Sequence, residues 1–82
     1  MSLQFHKIER THKGDITLLN RALQQARLKN DRQLSLLMAV GPARISKVRN
    51  NHCRLSDSMV LVLMEATGMT LSDVIRALSC QS

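Results

Sequence analysis

The sequence predicts an all-α fold, a compact domain of five helices behind a short basic N-terminal arm. Three observations lead there. Hydrophobic residues make up 44% of 82 positions, yet only one is aromatic, so the core must be built from Leu, Val, Ile, Met and Ala. Such a core suits helix packing better than stacked sheets. Three Gly and one Pro supply few sharp turns, which disfavours a many-stranded architecture. Apolar residues also recur at helical spacing between capping residues, along a length suited to one domain with one modest core.

Residues 1–14 show no clear period and carry Lys7, Arg10 and Lys13, so they read as the arm, with Phe5 and Ile8 as its docking residues. Residues 15–82 form the domain. Gly14-Asp15 opens a first helix with Asp15 as N-cap, and Ile16, Leu19, Ala22, Leu23 and Ala26 form its inward stripe. Asn30 caps a second helix over about 31–38, with Gln33 placed for a capping box and Leu34, Leu37 and Met38 facing in. Ala39-Val40-Gly41 makes a turn. Pro42 then starts a third helix at the position proline tolerates best, and the pair Asn50-Asn51 ends it. Ser56 caps a fourth helix over about 57–67, apolar nearly all round, and Gly68 stops it. Thr70 and Asp73 set a capping box for a last helix carrying Leu71, Val74, Ile75 and Leu78.

Net charge is +6. Strong basicity in a small domain points to polyanions, chiefly nucleic acid. The charge is unevenly placed: six cations face two carboxylates in residues 1–29, five face one in 30–55, and one faces three in 56–82. Other classes find little support. No paired carboxylates, nucleophile with a base, GxSxG turn or Gly-rich phosphate loop marks an enzyme or a cofactor. Cys53 and Cys80 stand far apart in no CxxC pair, and His52 beside Cys53 lacks a second pair of ligands, so free thiols without metal are expected. A single-strand binder relies on aromatic stacking, for which one Phe gives no platform. The start MSLQFHKIER lacks the apolar run of a secretion signal, and Met59 to Met64 falls far short of the roughly 20 residues that span a bilayer. The expectation is a soluble cytoplasmic protein with no membrane partner.

The third helix carries most of the information. On a helical wheel Ile45 and Val48 share one side, while Ala43, Ser46, Lys47 and Asn50 cluster opposite and Arg44 and Arg49 flank the edges. A polar ridge with a cation on each shoulder fits a major groove about 12 Å wide, with ridge residues at base edges and shoulder cations at phosphates.

Counting Asp31 as the first residue of a twenty-residue unit puts Leu34, Met38, Val40, Ile45 and Val48 at places four, eight, ten, fifteen and eighteen. That is the pattern of a helix-turn-helix over about 31–50. The segment NDRQLSLLMAVGPARISKVRNNHCRL resembles the central motif of lambda-type phage repressors, Cro-type proteins and related small bacterial regulators, and ATGMTLSDVIRAL extends the likeness more loosely. The resemblance covers about residues 15–79. It implies a lambda-repressor-like domain that binds double-stranded DNA as a transcriptional regulator of the bacterial cell, probing bases with Ala43, Ser46, Lys47 and Asn50. It also implies phosphate contacts from Asn30, Arg32 and Gln33 at the start of the second helix, from Arg44 and Arg49, and from Asn51, His52 and Arg54 in the following loop. Ser35 stands where the family usually has Ala, and Ala39 where it often has Gly. Pro42 and Ala43 occupy places where many relatives use Gln or Ser, which shifts base reading toward Ser46, Lys47 and Asn50. A two-fold homodimer is expected, with its third helices about 34 Å apart and Met64, Met69 and Leu78 of the fourth and fifth helices covering the partner. The rival reading is an antitoxin-like or other protein-binding module of the same fold. Non-specific nucleic-acid coating is a third.

Overall fold

A computed structural model describes residues 11–79. The arm residues Phe5, Lys7, Ile8 and Arg10, and Cys80, lie outside them. Five helices follow in order: α1 His12–Ala26, α2 Asp31–Met38, α3 Pro42–Arg49, α4 Asp57–Thr67 and α5 Leu71–Leu78. They close around one core, as the all-α expectation required.

The first helix begins a turn earlier than expected. Thr11, not Asp15, is its N-cap, in extended conformation with its hydroxyl accepting from the Gly14 amide at 3.0 Å. Residues 11–14 therefore belong to the domain and not to an arm. The shift has a packing cause. It brings Gly14 against α5, where an added Cβ would lie 2.7 Å from the carbonyl oxygen of Leu78. It also turns Asp15 inward, fully buried. Leu18, Leu19 and Ala22 are the completely buried residues of the helix stripe, whereas Ile16, Leu23 and Ala26 are half-buried at its margins.

The remaining boundaries follow their caps. The Asn30 side chain accepts from the Gln33 amide at 3.0 Å, and the Gln33 side chain accepts from the Lys29 amide at 2.8 Å, one residue before the cap proper. Leu34, Ser35 and Met38 are buried, and Ser35 bonds back to the Arg32 carbonyl at 2.7 Å, so a polar residue fits a tight helix contact. Leu37 departs from expectation: it is 45% exposed, because the inward face of α2 centres on Leu34, Ser35 and Met38. Ser56 caps α4, Gly68 ends it at φ 78°, and Thr70 with Asp73 completes a capping box on α5. Leu71, the first residue of α5, is 43% exposed and not inward.

The link between α2 and α3 is Ala39-Val40-Gly41. Ala39 takes the left-handed conformation, φ 58° and ψ 39°, and its amide reaches back to Leu36 while that of Val40 reaches Ser35. Gly41 is extended and Pro42 begins α3. Two eight-residue helices thus meet through a three-residue turn. Ile45 and Val48 enter the core completely, and α3 contributes no other buried residue. No helix among the described residues is long and apolar enough to cross a membrane.

Two expected outcomes follow. A left-handed Ala is strained by its Cβ, and Gly removes that strain at some entropic cost. Ala39→Gly raises stability by about 0.5–1 kcal/mol, read as a higher urea midpoint at unchanged slope; a lowered midpoint contradicts the turn. The second concerns Asp73, whose carboxyl is held below its ordinary value of 3.8 chiefly by hydrogen bonding to the Thr70 backbone and side chain, helped by Arg76 and Arg21. A depressed folded pKa gives stability that is present above the unfolded value and lost as pH falls through the folded one. Wild type therefore exceeds Asp73→Asn at neutral pH, and the gap closes in acid below the usual aspartate range, as paired denaturation curves should record.

Candidate nucleic-acid interface

The site is the outward side of α3 with the start of α2. Ala43, Arg44, Ser46, Lys47 and Asn50 are exposed, opposite the buried pair Ile45 and Val48. The structure thus gathers the four residues expected to read bases on one solvent-facing strip. The side-chain nitrogen of Asn50 donates to the Ser46 carbonyl at 2.9 Å, joining two of the four. The chain then turns at Asn51, in left-handed conformation at φ 62°. A groove beside α3 is lined by Ala39, Val40, Gly41, Ala43, Arg44, Lys47 and Cys53.

The residues expected at phosphates divide into two groups. Arg32, Arg44, Asn51 and His52 are exposed, as are Asn30 and Gln33, whose side-chain oxygens are engaged in capping α2. The arginines Arg49 and Arg54 differ. Arg49 is half-buried: its Nε and Nη2 donate to the two carboxylate oxygens of Asp31, each at 2.9 Å, and its Nη1 donates to Asn20 at 2.7 Å. It does not stand out from the shoulder of α3 as the wheel suggested, because a carboxylate and an amide from α2 and α1 converge on it. Arg54 remains 47% exposed, but its Nε donates to the buried carboxylate of Asp15 at 2.8 Å. The Leu55 amide also approaches Asp15, at 3.4 Å, so this carboxylate ties α1 to the loop after α3.

His12 is a structural contributor that the sequence did not single out. Its Nε2 lies 3.1 Å from the Val48 carbonyl and 2.9 Å from that of Arg49. Carbonyl oxygens only accept, so Nε2 carries the hydrogen, and the ring satisfies carbonyls at the end of α3. The only local sign was a His one residue after a capping Thr. Nothing nearby in sequence pointed to α3, some 36 residues away. Among the described residues no cluster of three His, Cys, Asp or Glu is arranged to hold a metal.

The expected dimer residues are also rearranged. Met69 and Leu78 are buried in the core and Met64 is half-buried, so Met69 and Leu78 offer nothing to a partner. Among the described residues the exposed large apolar side chains are instead Leu36 and Leu37 on α2, Leu61 and Val62 on α4, and Leu71. Leu37 and Val62 line one shallow groove with Glu65 and Ala66.

Comparison of the chain with known protein families, curated proteins and solved structures finds no match. The geometry and charge of the chain itself therefore carry any functional reading.

Proposed function

We propose that this chain is a sequence-specific double-stranded DNA-binding protein of the helix-turn-helix type, acting as a small transcriptional regulator, with α3 in the major groove. The observation that supports this best is the division of α3. Two side chains hold it to the core, and a strip of short polar or cationic residues faces solvent along its whole length. A helix of that form can approach base edges closely, while Arg32 and Arg44 neutralise phosphates on either side of the groove. The opposite sign prevails on the later helices, where Asp57, Glu65 and Asp73 outnumber Arg76. Repulsion there favours one docking orientation over others.

In this reading Lys47 donates to guanine O6 and N7, the commonest contact for a cation in the major groove. Asn50, its amide nitrogen bonded to Ser46, brings its oxygen to a base amino group. Ala43 and the Ser46 methylene admit a thymine methyl. The amides at the start of α2, with Arg32 and Gln33, receive one phosphate. A second copy makes up for the small contact of one half-site. The exposed apolar groove of Leu37 on α2 and Val62 on α4 is the surface it covers, in place of the buried Met69 and Leu78 expected from sequence.

That same apolar face favours one rival, a protein-binding module of this fold. Selecting bound duplexes from a random pool separates the two. The DNA reading predicts a near-palindromic site, bound about a thousandfold or more over random duplex, with affinity falling steeply as salt rises. Lys47→Ala should cost the selected site about 1–3 kcal/mol of its preference. Equal affinity for every duplex leaves only charge-driven coating, and absence of binding leaves the protein-binding module.

A further inference from the structure

Arg49 is a cation of α3 that the chain holds for itself. The two parallel contacts to Asp31, at 2.9 Å each, form the fork that guanidinium makes equally well with a phosphate. Both partners are only partly buried, with side-chain exposures of 23% and 35%, so the pair lies within reach of solvent ions. Asp31 is the first residue of α2, next to the cap Asn30. That is the turn at which the DNA-binding reading sets a phosphate. A fixed anion of the chain thus stands where an external anion is expected, and it occupies the cation that the external one would take.

We propose that Asp31 is an intramolecular competitor of the DNA backbone for Arg49, and that it sets the overall affinity of the site; this rests on the DNA-binding reading above. A phosphate contact strengthens cognate and random duplex alike, since the backbone carries no sequence information. Withholding one cation therefore lowers affinity for both without altering the preference between them. The protein then leaves random sites faster and remains responsive to salt and concentration at its own site. Charge supplies the measurable signature, because each phosphate neutralised adds about 0.9 to the slope of log affinity against log salt.

The test measures binding of a selected and a random duplex across a salt series, for wild type, Asp31→Asn and the double variant Asp31→Asn with Arg49→Gln. Asp31→Asn should bind both duplexes about five- to tenfold more tightly near 0.1 M salt, with a slope steeper by about 0.9 and an unchanged ratio between duplexes. The double variant, with two amides in place of two ions, should return to the wild-type slope. A merely structural pair gives a different result: Asp31→Asn weakens the selected duplex and leaves the slope alone, which overturns the proposal. A double variant shallower than wild type by about 0.9 also overturns it, because Arg49 then already touches a phosphate. Should Asp31→Asn fail to fold, Asp31→Ser takes its place, because it also removes the charge and keeps a polar residue in the first turn of α2, and the same slopes decide. A wild-type chain that binds no duplex refutes the DNA-binding reading itself, an outcome distinct from any of these.

Discussion

What α3 can present to solvent is decided by how it is turned against the core. Eight residues bury only Ile45 and Val48, worth about 1.5–3 kcal/mol each. Two side chains one turn apart fix a helix to the core but define its rotation and tilt loosely. Polar ties at both ends supply what is missing. At the start, the Ala39-Val40-Gly41 turn sets the angle to α2. At the end, His12 holds the carbonyls of Val48 and Arg49, and Arg49 is clasped by Asp31 and Asn20. Each such bond contributes about 1 kcal/mol or less net at partial exposure. Their value lies in geometry: His12 and Asn20 join the end of α3 to α1, a joint that does not require the Asp31 charge.

A second tie works at greater depth. Asp15 is completely buried, and Arg54 reaches in from the surface to meet it. Placing a carboxylate inside is costly unless it is paired and hydrogen-bonded. Here the arrangement joins α1 to the segment between α3 and α4, the stretch with no regular structure to hold it. The same close contact explains Gly14, where any side chain would meet the end of α5. One turn of α1 thus organises both the loop after α3 and the last helix.

Much of the fold could be read from the sequence because its signals are local. Asn30, Ser56, Thr70 and Gly68 act within three or four residues of the helix ends they define, and each does so as expected. The inward direction of Ile45 and Val48 followed from spacing alone. What escaped were features settled by distant partners. Asp15 reads as the cap of α1 because it follows Gly14 and precedes the apolar stripe; the approach of α5 to Gly14 and of Arg54 to Asp15 moves that role to Thr11. Leu37 keeps a helical register with Leu34, but α4 leaves it at the edge. Leu78 and Met69 looked spare until α5 was seen to close the core. Arg49 was placed on a shoulder by the wheel, which cannot show Asp31 reaching it from 18 residues away. Ser35 and Ala39 were departures from the resembled pattern, and both are accommodated: Ser35 by a bond to its own helix, Ala39 by a left-handed backbone.

The central claim is that the outer strip of α3 meets paired bases. Amide chemical shifts of the labelled protein, followed while a selected duplex is added, test it most directly. The largest changes should fall at Ala43 to Asn51 and at the first turn of α2, with α5 almost unmoved. Changes confined to Leu36, Leu61 and Val62 with α3 silent would contradict it, and would assign this domain to a protein partner instead.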